Sequence, residues 1–187
     1  MNNKLYPLIA FIAIVALVVT AQTGGQQKQT QPQPHDMNGC PMHDEHTGQK
    51  DHAVMNARGD ERMGFAQAQT THHFRLTKDG GQIEVAANDV QDTASRDQIR
   101  AHLKHIAAAF AAGDFAIPMF VHDQTPPGVP AMQRLKAAIS YTYEDTPRGG
   151  RVRITSSNAD ATTAVHEFLT FQIKEHETGD ALEVVNQ

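Results

Sequence analysis

Thr71-His72-His73-Phe74-Arg75-Leu76-Thr77-Lys78-Asp79-Gly80-Gly81-Gln82-Ile83-Glu84-Val85-Ala86-Ala87 is the stretch on which the fold turns. His72, Phe74 and Leu76 point one way, and His73 and Arg75 the other. Alternation of this kind is the period of a half-buried strand. Lys78-Asp79-Gly80-Gly81 turns the chain, and Ile83, Val85 and Ala87 continue the inward face, so the stretch reads as a β-hairpin.

Downstream the apolar period lengthens to that of a helix. Ile99, Leu103, Ile106 and Phe110 form one stripe, with Asp92, Thr93 or Ser95 as the N-cap and Gly113 as the stop. The same order then recurs. Ile139, Tyr141 and Tyr143 share a face, Pro147-Arg148-Gly149-Gly150 reads as the turn, and Val152 and Ile154 lie between Arg151 and Arg153. A second helix follows, capped by Asn158 or Asp160, with Val165, Phe168, Leu169 and Ile173 on its stripe and Gly179 closing it. Between the halves lie Phe115 to Val121, the loop Pro126-Pro127-Gly128, and a short helix starting at Pro130.

Two β-β-α units packed side by side predict an α+β fold. The expected form is a two-layer sandwich, a four-stranded antiparallel sheet with two main helices on one face, spanning residues 65–180 and followed by a tail over 181–187. His73, Arg75, Glu84, Thr142, Arg151 and Arg153 are expected on the uncovered face, a polar surface of the kind such sheets turn to water.

Ahead of this domain the chain has a different character. Lys4 precedes an unbroken apolar and small run from Leu5 to Thr20, and Val19-Thr20-Ala21 offers a small-x-small cleavage signal. Residues 1–21 read as a signal peptide, with an uncleaved anchor over residues 5–20 as the alternative. The expected location is exported, periplasmic or secreted, and membrane contact follows only if the leader is retained. Residues 22–64 carry Gln, Pro, Gly, His, Asp and Thr with almost no aliphatic period, and read as a disordered tether. The chain has 16 Lys and Arg against 21 Asp and Glu, so no nucleic-acid partner is expected. The one cysteine excludes an intrachain disulfide.

The tether gathers His35, Met37, Cys40, Met42, His43, His46 and His52, with Met55 and Met63 close behind. Thioether and thiolate donors select soft ions such as Cu(I), while imidazole also suits Cu(II) and zinc. A copper ion is therefore the expected cofactor, with zinc as the alternative. The paired cysteines of a structural zinc finger are missing. In composition the segment His35 to His52 resembles the Met- and His-rich segments of periplasmic copper-handling proteins. That resemblance implies exposure to metal and no particular fold.

In the domain, His72, His102, His105 and His122 are the weaker candidate ligands. His102 and His105, three apart on one helix, are able to chelate an ion together, and an inward His72 approaches the same region. His102 reads equally well as a boundary histidine bonded to a backbone carbonyl. His166 lies on a helix flank in the same way. His176 falls in the last turn of its helix, where a protonated imidazole suits the negative end of the dipole. Ser95, Ser140, Ser156 and Ser157 lie in no nucleophile elbow, and no carboxylate pair stands out. The expected function is metal capture, buffering or transfer through the His/Met/Cys arm. The alternatives are a non-metal module that docks an envelope protein on its exposed sheet face, and a histidine-ligated metalloenzyme.

Overall fold

A computed structural model describes residues 46–184, with side chains from residue 52 onward. The leader and the arm up to residue 45, with His35, Met37, Cys40, Met42 and His43, lie outside the described residues, as do residues 185–187 of the tail.

Strands β1 (Thr70–Thr77), β2 (Gly80–Ala87), β3 (Ser140–Thr146) and β4 (Gly149–Thr155) form an antiparallel sheet in the order β1-β2-β4-β3. The register puts Phe74, Ile83, Val152 and Tyr143 in one inward row, and His72, Val85, Gly150 and Asp145 in the next. The two long helices, α2 (Thr93–Ala112) and α5 (Ala159–Glu175), cover that face. Each helix lies across the hairpin it does not follow: α2 packs mainly on β3 and β4, and α5 on β1 and β2. This exchange locks the two halves into one core, in which Ile99, Val152, Ile154, Val165 and Leu169 are wholly buried. The α+β sandwich and its pseudo-repeat are thus as the sequence predicts.

The helix starts follow the expected chemistry. Asp92 accepts from the Ser95 N–H at 2.9 Å and Asn158 from the Ala161 N–H at 3.0 Å, each satisfying a donor left free at a helix start. Gly113, with φ 82, ends α2 in the left-handed conformation. The connector folds as α3 (Ala116–His122) and α4 (Val129–Arg134).

Three readings change. First, the glycine pairs are in strands. The hairpin loops are Lys78-Asp79 and Pro147-Arg148, and the glycines open β2 and β4 because a helix side chain or a neighbouring strand's carbonyl lies too close for a Cβ. A Cβ on Gly81 would lie 2.2 Å from Leu169 Cδ1, and one on Gly149 would lie 2.1 Å from the Val85 carbonyl. Second, the last helix stops at Glu175, and Glu177 rather than Gly179 takes the first left-handed position after it, with φ 48.

Third, part of the expected tether is helical. α1 (His46–Met63) packs against α3 through Met55, which is buried, and reaches the cavity described below through Met63. Two side-chain contacts hold it, the ion pair of Arg58 Nη2 with Asp123 Oδ2 and the contact of His52 Nε2 with Glu177 Oε1, each at 2.9 Å. The folded part therefore begins ahead of residue 65. Among the described residues no single helix is long and apolar enough to cross a membrane.

Candidate metal site

Between the inward face of β1 and β2 and the helices α2, α3 and α5 lies a cavity of about 70 Å³. A water needs roughly 10–15 Å³ of such space, so there is room for an ion with a water or two. Most of the wall is apolar, from Phe74, Ile83, Val85, Leu103, Ile106 and Phe168. Into it project His72, His102, His122 and His176, the amide of Gln172, and the thioether of Met63.

These side chains arrive from distant points of the chain for simple reasons. His72 lies two residues before Phe74 on the inward side of β1, opposite Val85 of β2. His102 is one residue before Leu103 on the buried stripe of α2. His176 continues the stripe of Leu169 and Ile173 one residue beyond α5. His122 ends α3, and its side chain is 1% exposed.

Aromatic contacts fix the rings. His72 and His176 stack with centroids 5.6 Å apart and planes 10° from parallel. His122 meets His176 edge-on at 5.1 Å. Phe65 touches both His72, at 6.2 Å, and His102, at 5.6 Å. The Nε2 of His72 and the Nδ1 of His122 are buried without a hydrogen-bond partner among the described residues.

Burial decides the protonation of the group. Loss of solvent, then the nearby His73, lowers the His72 pKa to about 4. Burial, then His72 and His105, lowers His102 to about 4. Burial, then His72, His122 and His52, lowers His176 to about 3. His122 also falls, because burial outweighs the Gln172 hydrogen bond and the Glu175 charge. At neutral pH all four rings are uncharged, the form in which imidazole binds metal.

Two expectations are corrected here. His176 does not act as a charged cap for the helix dipole, because desolvation against its neighbours, and then the imidazoles of His72, His122 and His52, disfavour the proton. His105 is exposed and lines no part of the cavity, so the i,i+3 pair with His102 is not the arrangement that forms. His72 and His102 do share the cavity, and His122 joins its wall. His166 is structural: its Nε2 lies 2.9 Å from the Thr77 carbonyl and donates to it. His46 lies in α1, where its side chain is not described, and His52 holds Glu177.

As the rings stand, no three His, Cys, Asp or Glu side chains among the described residues are close enough to hold an ion. Compared with protein families, with curated proteins and with solved structures, the chain matches none.

Proposed function

We propose that this is an exported metal-handling protein that binds copper, or zinc in its place, in the histidine cavity and receives the ion from its His/Met/Cys arm. The supporting observation is the convergence of His72, His102 and His176 with the Met63 thioether on one apolar cavity, with the His72 Nε2 buried and without a hydrogen-bond partner among the described residues. Three imidazoles and a thioether form a donor set suited to copper. With metal–nitrogen distances of about 2.0–2.1 Å, two imidazoles on a tetrahedral ion have centroids roughly 5 Å apart. The His72–His176 separation of 5.6 Å is near that value. Binding turns the rings about their outer side-chain torsions until the nitrogens converge, within space the cavity already contains.

The low imidazole pKa values serve the same function. A neutral ring needs no proton displaced, so capture continues at mildly acidic pH. His35, Met37, Cys40, Met42 and His43 supply the capture donors ahead of the fold. The proposed function is uptake and transfer without turnover.

Metal titration tests this on the intact chain with Cu(I), Cu(II) and Zn(II). Substituting His72→Ala together with His176→Phe removes one equivalent, and substituting the five arm donors removes the capture site while leaving the cavity equivalent. An unchanged stoichiometry in the cavity variant, with its circular dichroism intact, sinks the proposal.

A second reading draws on the uncovered sheet face. There Arg75 and Arg151 both bond to Glu84 Oε2, at 3.2 and 3.0 Å, and Arg153 is exposed beside them. Such a basic face on an acidic chain suits an acidic envelope protein, and Arg153→Glu would abolish that docking.

A further inference from the structure

We infer that the groove between α1, α3 and α5 is a second metal site, distinct from the cavity, in which a divalent cation bridges His122 Nδ1 and the Glu175 carboxylate. The groove has a volume of about 500 Å³ and is lined by His52, Met55, Arg58, His122, Asp123 and Glu175, among others. His122 forms the wall between the two spaces, because it lines both.

The tautomer of His122 is set by one bond. Its Nε2 lies 3.0 Å from the Gln172 side-chain oxygen. That oxygen only accepts, so Nε2 carries the hydrogen and Nδ1 carries a bare lone pair. A histidine that donates its far N–H to a carbonyl while its near nitrogen stays free is oriented as metal ligands are. The Nδ1 is buried and has no hydrogen-bond partner among the described residues. Nothing in the fold of α3 requires a polar atom there.

The facing carboxylate supplies the second donor. Glu175 Oε2 lies 3.8 Å from Nδ1. That gap is too long for a hydrogen bond. An ion about 2.0–2.1 Å from the nitrogen and about 2.0–2.2 Å from the oxygen spans it at an angle wider than tetrahedral, and a small closing movement of the half-exposed Glu175 side chain brings the pair to tetrahedral spacing. Arg58 is already neutralised by Asp123 at 2.9 Å, and Lys174, also on the groove, is exposed. Met55, from α1, places a thioether on the same groove, and water completes the coordination. Zinc and Cu(II) both take this nitrogen and oxygen pair.

The site is tested with Zn(II) on the intact chain, by chelator competition and by the nitrogen-15 resonances of the histidine rings. Zn(II) is expected to move the His122 Nδ1 resonance by tens of parts per million. Glu175→Gln, a half-exposed change that leaves the core intact, removes one equivalent or weakens this step at least tenfold. Gln172→Leu, which frees the tautomer, weakens it about tenfold as well. The cavity variant His72→Ala with His176→Phe leaves the His122 shift in place, so failure here is separable from failure of the cavity reading. A His122 Nδ1 resonance unmoved by saturating Zn(II), or a Glu175→Gln isotherm identical to wild type, overturns the inference.

Discussion

The rings of His72 and His176 lie face to face, with centroids 5.6 Å apart, although one belongs to an edge strand and the other ends the last helix. Two charged imidazoles would not remain at this distance inside an apolar core. Their contact is stable because both are neutral: loss of solvent lowers each pKa, and His72 lowers that of His176 further.

Acid should therefore weaken the fold over a defined range. The folded pKa values of His72, His102 and His176, at about 4, 4 and 3, lie below the unfolded value of 6.5. Above pH 6.5 neither state carries the protons and stability is flat. As pH falls below 6.5 the unfolded chain takes up protons that the folded chain refuses, so stability is lost down to the folded pKa values. Each such histidine removes up to about 1.4 kcal/mol per pH unit. Together the three remove up to about 4 kcal/mol per unit, so thermal melts between pH 7.5 and 4.5 should fall by up to roughly 8–16 °C per unit below pH 6.5. His176→Phe should flatten that slope, and a wild-type Tm that stays constant to pH 4.5 would refute the buried, neutral cluster.

Much of this architecture was legible in the chain. The alternation around Phe74 and Val152 and the stripes through Leu103 and Leu169 are periodic signals, and tertiary packing agrees with them. His176 was visible too, since it extends the Leu169–Ile173 stripe by three residues. Its last-turn position argued for a charged cap, and only the three-dimensional packing shows that the proton is excluded. α1 was not legible. Its packed face is His52, Met55, Gly59 and Met63, at helical spacing but with two apolar side chains, too few to stand out against a polar background. Gln172, which sets the His122 tautomer, is a polar residue on a buried stripe and gives no signal of its role.

Gly128 should tolerate no side chain. Its φ is 80, and a Cβ there would lie 2.1 Å from the Ala164 carbonyl and 3.1 Å from the Phe168 amide nitrogen. Both strain and collision oppose the change, and α4 would be pushed from α5. Gly128→Ala is expected to lower stability by about 2–4 kcal/mol in urea denaturation. A loss below about 0.5 kcal/mol would mean that α4 is free to shift.

α1 should open before the rest of the fold. Its contacts are few: Met55 against α3, Met63 at the rim of the core, and the Arg58–Asp123 and His52–Glu177 pairs. Met55→Asp places a carboxylate where the thioether is buried, so the opened state gains at least tenfold in population. Trypsin cleavage after Arg58 and Arg62 should accelerate by the same factor while the main melting transition changes little. Equal protease resistance in the variant would show that α1 docks through other contacts.

Asp180 fastens the far edge of the sheet. Its Oδ2 accepts the Phe74 N–H at 2.9 Å, a donor on edge strand β1, and its Oδ1 accepts His73 Nδ1–H at 2.9 Å. Burial alone would raise this carboxyl's pKa. The hydrogen bonds from Phe74, Thr178 and His73, with the His73 charge, outweigh it and hold the pKa below the usual carboxylate range. The contribution is thus fully present above the unfolded pKa of about 3.9 and is lost as pH falls through the folded value. Asp180→Ala should cost about 1–2 kcal/mol at neutral pH, because a partly buried amide loses its acceptor. Hydrogen exchange at Phe74 reports the same contact, and its protection should fall about tenfold. Unchanged exchange at Phe74 would mean that the edge is closed by some other group.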